Sequence, residues 1–148
     1  MKYQELVKEV EGVGKLKLSE QENFYRDVLN ESSNDLEVMV AATFYLGMTF
    51  YYEGNFNKAK EIIEPIILQY QSMPFVRELI SAFNLMGVML YYDGANVSSR
   101  YYYEKALQIA MEHEDVGHYC YEYNNISITY VKQEKYEEAL DSILKAKE

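Results

Sequence analysis

The densest group of side chains that could bind a metal ion lies in the segment MEHEDVGHYC, residues 111–120. His113, Asp115, His118 and Cys120 fall within this short stretch, and all are residue types that bind zinc. Their spacing matches none of the standard zinc patterns, and the segment is predicted to be a turn between helices. We therefore predict no metal site and no cofactor.

Pairs of carboxylates that could act as acid and base occur in YEEAL, residues 136–140, and in KEIIEP, residues 60–65. Both pairs have helical spacing that places them on solvent faces. The sequence contains no nucleophile elbow, no phosphate-binding loop and no arrangement of His, Ser and Asp that is typical of hydrolases. We predict that this chain is not an enzyme.

The amino-acid composition argues against nucleic acids and anionic membranes as binding partners. The net charge is −10, because 14 basic residues are dispersed among 24 acidic ones. Phosphate backbones and anionic membranes require clustered Lys and Arg, so neither is an expected partner. No apolar run approaches the roughly 18 residues of a membrane span, and we expect no secretory signal in MKYQELVKEVEG. Cys120 is the single cysteine, which is typical of a reducing cytoplasm, so a cytoplasmic location is predicted.

Three segments of the chain are copies of one pattern at a spacing of 40 residues. They begin FYLGMTFYYEGNFNKAK at residue 44, NLMGVMLYYDGANVSSR at residue 84 and NNISITYVKQEKYEEAL at residue 124. The matching positions are the small residues Gly47, Gly87 and Ser127, the large residues Phe50, Leu90 and Tyr130, the turn residues Gly54, Gly94 and Glu134, and the small residues Ala59, Ser99 and Ala139.

The pattern within one copy is helical. Gly47 and Phe50 have the spacing of neighbours on one helix face. Gly54 stands where this helix should end, because glycine tolerates a left-handed backbone. Ala59 and Ile63 then mark one face of a second helix, and the small residues Gly47 and Ala59 allow the two helices to approach closely. Each repeat is therefore a helix, a tight turn and a helix, and neighbouring repeats must stack to bury their apolar faces.

The periodicity predicts an all-α protein without β-sheet. The expected helices lie near residues 36–53, 56–70, 75–93, 97–113, 117–133 and 136–147.

The pattern resembles the tetratricopeptide repeat, whose signature is W-x2-L-G-x2-Y followed by A-x3-F. The signature positions are occupied by Thr43, Phe83 and Tyr123 for tryptophan, Leu46, Met86 and Ile126 for leucine, Gly47, Gly87 and Ser127 for glycine, Phe50, Leu90 and Tyr130 for tyrosine, Ala59, Ser99 and Ala139 for alanine, and Ile63, Tyr103 and Ile143 for phenylalanine. The second repeat departs at Asn96 and Ser99, so we expect its second helix to be slightly displaced. The resemblance implies a right-handed superhelical array of antiparallel helix hairpins.

The resemblance covers residues 36–148, with repeats starting near residues 40, 80 and 120. Repeats of 40 rather than 34 residues resemble those of bacterial signalling proteins, namely receptors for peptide pheromones and the regulatory regions of GGDEF diguanylate cyclases. This likeness implies the N-terminal sensory or regulatory region of a larger bacterial signalling protein. A stand-alone adaptor or scaffold that acts through self-association is the alternative.

Residues 1–35 are predicted to form a degenerate repeat that caps the array. Helices are expected near residues 2–11 and 19–31, with Gly14 at the turn position. Ser19 and Glu22 form a capping box at the start of the second helix. The stretch NESSNDLE should break that helix, and Asn34 with Glu37 should begin the next one.

In tetratricopeptide arrays the first helices of the repeats line a concave groove, so the resemblance implies a site there. The groove residues that we predict are Phe44, Met48, Tyr51, Tyr52, Asn84, Val88, Tyr91, Tyr92, Tyr121, Asn124, Asn125 and Ile128. Tyrosine and asparagine dominate this surface, and one lysine falls on it, so the expected ligand is a protein segment or peptide of low charge rather than a free carboxylate. Half-buried packing of the tyrosines, or self-association that fills the groove, is the competing interpretation.

Leu140, Ile143 and Leu144 lie on the last predicted helix with no following helix to cover them. A solenoid needs polar capping repeats at its ends. We therefore expect that the natural protein continues, or that this open edge forms a symmetric homodimer.

Overall fold

The computed structural model describes residues 1–32 and 34–147, and this part of the chain is all-helical, without a β-strand. The helices are α1 (Tyr3–Val13), α2 (Leu18–Glu31), α3 (Leu36–Tyr52), α4 (Phe56–Leu68), α5 (Arg77–Tyr92), α6 (Asn96–Glu112), α7 (Val116–Lys132) and α8 (Tyr136–Ala146), with a short 3-10 helix at Tyr70–Ser72. The predicted all-α class is confirmed, and each predicted helix lies within two residues of an observed one at both ends.

The chain divides into two compact parts, residues 1–82 and residues 83–148, with the boundary inside α5. In the N-terminal part, α3 packs against α1, α2 and α4. In the C-terminal part, α7 packs against α6 and α8. Four pairs of consecutive helices are therefore neighbours, namely α2 with α3, α3 with α4, α6 with α7, and α7 with α8.

The 40-residue spacing recurs in the observed helix ends. Helices α3, α5 and α7 end at residues 52, 92 and 132, and α4, α6 and α8 begin at residues 56, 96 and 136. The start of α6 thus keeps the spacing of the other two repeats, although Asn96 and Ser99 depart from the signature.

All three turns have one backbone conformation. Gly54 and Gly94 both have φ of +82°, and Glu134 has φ of +61° at the equivalent position. In each turn the amide after this residue donates to the carbonyl five residues earlier at 2.9 Å. This pairing satisfies the last carbonyls of the first helix and directs the chain into the second one.

Small residues set the distance between the helices of a pair. A Cβ atom built at Gly47 would lie 2.5 Å from Ile63 Cδ1, and one at Gly87 would lie 2.6 Å from Tyr103 Cε1. The polar residue at the alanine position of the second repeat is accommodated, because buried Ser99 donates through Oγ to the carbonyl oxygen of Gly87 at 2.6 Å.

Each part has its own buried apolar residues. In the N-terminal part they include Leu6, Val38, Leu46, Ile63 and Ile80, and in the C-terminal part they include Phe83, Met89, Ala106, Ile126 and Ala139.

Two of the predicted helix caps are wrong. Helix α2 begins at Leu18, one residue before Ser19, and has no side-chain cap. Ser19 therefore lies inside the first turn, where its hydroxyl cannot act as the cap. Helix α3 is capped by Asp35, which accepts from the amide of Val38 at 3.3 Å, and not by Asn34.

The predicted break in NESSNDLE is confirmed on both sides, since α2 ends at Glu31 and α3 begins at Leu36. Ser33 within this stretch and Glu148 at the end of the last repeat lie outside the described residues. Gly14 caps α1 with φ of −60°, so it differs from Gly54 and Gly94 in conformation.

A carboxylate joins three helices of the N-terminal part. Glu78, which is 7% exposed in the first turn of α5, accepts from the hydroxyl of Tyr3 at 2.6 Å and from that of Tyr45 at 2.7 Å. Burial and the hydrogen bond to Glu78 raise the pKa of both phenols. The ring of Tyr25 stacks on that of Tyr45, with centroids 5.6 Å apart. These contacts attach α1 and α2 to α3.

Candidate ligand-binding site

The predicted site residues of the N-terminal part lie on α3. Met48 and Tyr51 are half-buried, and Tyr52 is 63% exposed. The rings of Tyr51 and Tyr52 meet edge to face at 5.5 Å, and Tyr51 also stacks on Phe56. Phe44 differs from the others because it is buried. Of the predicted site residues on α3, the most accessible is therefore a tyrosine, Tyr52.

The predicted residues on α5 have a similar arrangement. Asn84, Val88 and Tyr91 are half-buried, and Tyr92 is 64% exposed. The rings of Tyr91 and Tyr92 also meet edge to face, at 5.7 Å. The same aromatic pair therefore recurs at a spacing of 40 residues.

On α7 the predicted residues are more accessible. Tyr121 is 52% exposed, Ile128 is 46% exposed, Asn124 is exposed, and Asn125 is half-buried. Each of these four side chains therefore has surface that a ligand could contact.

The structure brings the amides of α5 and α7 together. Asn125 Nδ2 lies 2.9 Å from Asn84 Oδ1, and Lys132 Nζ lies 4.9 Å above the ring of Tyr91. Amide side chains both donate and accept, so such a pair can bind a peptide backbone that lies across it. The lysine that sequence analysis placed on this surface is engaged with an aromatic ring.

Glu122 is a central member of this site that the sequence analysis did not select. Its side chain is fully buried on α7, next to Asn84 and Asn125. Burial raises the pKa of Glu122 to about 8, and a hydrogen bond from Asn125 opposes this shift. A signal was present in the sequence, because the equivalent residues of the other repeats, Ala42 and Ala82, are buried alanines.

Arg100 is a second residue that the sequence analysis did not select. It is buried on α6, with its guanidinium 3.9 Å above the ring of Tyr130 on α7. Nη1 donates to Gln133 Oε1 at 2.8 Å and to Thr129 Oγ1 at 3.3 Å. This side chain therefore joins α6 to α7 in the position where the third repeat has Leu140.

The segment that resembled a metal site instead contains a helix cap. Asp115 precedes α7 and accepts from the backbone amide of His118 at 3.2 Å, and its other oxygen lies 2.9 Å from His118 Nδ1. Among residues 1–32 and 34–147, no group of three or more His, Cys, Asp or Glu side chains is arranged to hold a metal ion.

A different surface, the acidic crevice, lies among α6, α7 and α8. Its volume is about 510 Å³. Tyr123 and Ile126 of α7 contribute to it, together with the carboxylates Glu104, Glu137, Glu138 and Asp141. Lys145 pairs with Asp141 at 3.1 Å. Neither Asn84 nor Asn125 lines this crevice.

The sequence matches no protein-family model, and no curated protein matches it. In the described part of the chain, no helix has the length and apolar character that crossing a membrane requires.

Proposed function

We propose that this chain is a non-catalytic module of the tetratricopeptide type that binds a protein segment or peptide of low charge. In this proposal the repeats belong to the right-handed superhelical class, and the binding surface of the C-terminal part is formed by the first helices α5 and α7. The module would be the regulatory region of a larger cytoplasmic signalling protein in bacteria. The repeated hairpins with identical turns support the repeat class.

The observation that carries the proposal is the contact between Asn84 and Asn125. Two half-buried amides from different first helices lie within hydrogen-bonding distance, and the same two helices carry the exposed rings of Tyr92 and Tyr121. Amides can pair with a backbone, and tyrosines supply rigid contact area, so the combination favours an extended peptide over a small charged ligand.

The experiment is selection from random short peptides displayed on phage, followed by fluorescence anisotropy with the selected peptide as a labelled synthetic probe. We expect Tyr92→Ala and Asn124→Ala to weaken binding roughly thirtyfold each, which corresponds to about 2 kcal/mol for an anchor residue. Because the contacts are largely uncharged, Kd should change little between low and high salt.

The matched control is Tyr101→Ala, which removes a tyrosine that is 53% exposed from the second helix α6. It should bind the peptide like the parent. The proposal is rejected if no peptide is selected, or if Tyr101→Ala weakens binding as much as Tyr92→Ala does.

Self-association through α8 is the second candidate, and the exposed side of that helix favours it. Tyr136, Leu140 and Leu144 are spaced by four residues and are 63%, 57% and 52% exposed. The residue of α6 that corresponds to Leu140 is Arg100, which α7 covers. An apolar stripe at this position is what a second copy of α8 would bury.

Sedimentation of the parent and of Leu140→Glu distinguishes the two candidates. A dimer that dissociates on this substitution supports self-association. Leu68→Glu is the control, because Leu68 is 75% exposed on α4 and lies outside the stripe. A monomeric parent at high concentration excludes this candidate and leaves the peptide-binding proposal in place.

A further inference from the structure

The side chains of Asn84, Glu122 and Asn125 contact one another. No single placement of their protons and amide atoms satisfies all of their hydrogen bonds at every pH. The inner amide atom of Asn84, the one nearest to Glu122, lies 3.0 Å from Glu122 Oε1, 3.2 Å from Oε2 and 2.9 Å from Asn125 Nδ2. The identity of this atom, oxygen or nitrogen, depends on the state of the carboxyl group.

Suppose first that the inner atom is Asn84 Oδ1. It then accepts from Asn125 Nδ2, but it faces two carboxyl oxygens that can donate only when Glu122 is protonated. In this arrangement the Glu122 O–H donates to Asn84 Oδ1, and Asn84 Nδ2 points away from the carboxyl group.

Suppose instead that Glu122 is ionised. Its oxygens then only accept, so the inner atom must be Asn84 Nδ2, which donates to them at 3.0 and 3.2 Å. Asn84 Nδ2 and Asn125 Nδ2 are then two donors 2.9 Å apart, so either the two side chains separate or the amide of Asn125 reverses as well. Asn84 Oδ1 now points away from the carboxyl group, so the two arrangements differ by one proton and by a reversed amide.

The titratable groups that interact with Glu122, directly or through Tyr103, are phenols. Tyr103 from α6 is buried and interacts electrostatically with Glu122, and Tyr91 of α5 and Tyr121 of α7 interact with Tyr103 in turn. Burial raises the pKa of Tyr103. This phenol therefore keeps its proton while Glu122 titrates.

The charged groups of the neighbouring helices are directed elsewhere. Arg100 of α6 stacks on Tyr130 and donates to Gln133, and Lys132 of α7 lies over Tyr91. The carboxylates of α8 line the acidic crevice. The protonation of Glu122 is therefore governed mainly by burial and by the two amides.

We propose that Glu122 is a proton-dependent positioning residue, and that gain or loss of its proton reverses the amide of Asn84. When Glu122 loses its proton, the atom of Asn84 that points away from Glu122 changes from the donor Nδ2 to the acceptor Oδ1. Asn84 is half-buried, so this side of the amide is not fully enclosed. For binding, this inference rests on the proposed function, since the exchanged atom would meet the backbone of the bound peptide.

The first test uses the ligand-free chain. The side-chain amide NMR resonances of Asn84, assigned by their loss in Asn84→Gln, are followed from about pH 6 to about pH 9 together with the carboxyl resonance of Glu122. We expect the chemical shifts of both groups to change with pH and to share one midpoint pH. Asn30 is the control, because it is exposed on α2 and should not follow that midpoint. Asn84 resonances that stay fixed while Glu122 titrates, or a carboxyl that is already ionised at the start of the range, overturn the proposal.

Glu122→Gln is the matched variant, because a glutamine amide both donates and accepts and so imitates the protonated carboxyl at every pH. Its Asn84 resonances should not change over this range. The parent titration needs no variant, so the test remains decisive even if this substitution prevents folding.

The second test measures Kd for the peptide that the phage selection yields. We expect the parent affinity to change about tenfold or more across the titration, and the affinity of Glu122→Gln to stay constant. If no peptide binds, the proposed function fails and the amide reversal is still decided by NMR. If a peptide binds and the parent Kd does not depend on pH although the amide reverses, the regulatory role is rejected.

Discussion

Gly47 of α3 lies directly against Ile63 of α4, and a Cβ atom at Gly47 would be 2.5 Å from Ile63 Cδ1 and 2.7 Å from Cγ1. Ile63 is fully buried, so its side chain has little space into which to move. The contact explains why the first helix of this pair carries glycine at the point of closest approach.

We expect Gly47→Ala to lower the free energy of unfolding by roughly 1–3 kcal/mol through overpacking, measured by chemical denaturation. The cost should be smaller in an Ile63→Val background, because the Cδ1 atom is then absent. Gly12→Ala is the control, since no atom lies within 4 Å of its Cβ position and it lies inside helix α1. That variant should be as stable as the parent or more stable. Equal effects of the two alanines would contradict the packing argument.

Glu134 has φ of +61° in the turn between α7 and α8, where the other two repeats have glycine. A left-handed backbone costs a non-glycine residue about 1 kcal/mol, so Glu134→Gly should raise the melting temperature. Glu137→Gly, in the first turn of α8, should lower it because that backbone is helical. A lower melting temperature for Glu134→Gly would show that its side chain stabilises the turn by contacts of its own.

The stability of the parent should depend on pH through Glu122. Its pKa is about 8 in the folded chain and about 4.5 in the unfolded chain, so the folded state binds more protons between these values. The contribution of Glu122 to stability is therefore greatest below the lower value and is lost as pH rises toward 8, by at most about 1.4 kcal/mol per pH unit.

Chemical denaturation at several pH values checks this expectation. Glu122→Gln should gain stability over the parent progressively with pH, and Glu104→Gln is the control because Glu104 is exposed on α6. A constant difference between Glu122→Gln and the parent would show that Glu122 does not hold an extra proton in the folded chain.

Substitution of Arg100 should lower the free energy of unfolding more than substitution of a surface arginine would. Its planar guanidinium stacks on Tyr130 and donates to Gln133, and lysine cannot reproduce both contacts. We expect Arg100→Lys to destabilise the chain by about 1–2 kcal/mol. A double-mutant cycle with Tyr130→Leu measures the coupling between the two side chains, and additive effects would show that the stacking contributes nothing.

The helix ends and turns of the three repeats are the part of the fold that could be predicted from the sequence in most detail. Because three copies define the helix ends together, the turn at Gly54 could be transferred to Gly94 and Glu134. The N-terminal caps were not predictable in this way. Ser19 and Asn34 satisfy local capping rules, but a one-residue extension of α2 and a competing Asp35 decide the outcome.

The candidate site could also be predicted from the sequence only in part. The positions of Asn84 and Asn125 on first helices follow from the repeat register, but their contact depends on how closely α5 and α7 approach. The role of Glu122 could not be derived from its type, because a glutamate is usually exposed and its burial here needs two amides from different helices.

The contact between Tyr3 and Glu78 has a consequence for amide hydrogen exchange. Helix α1 is attached partly through the hydroxyl of Tyr3, so its opening removes one of the two phenol donors from a carboxylate that is almost fully buried. Such a loss costs more than an exposed hydrogen bond would. The amides of α1 and of the first turn of α5, far apart along the chain, should therefore exchange as one cooperative segment.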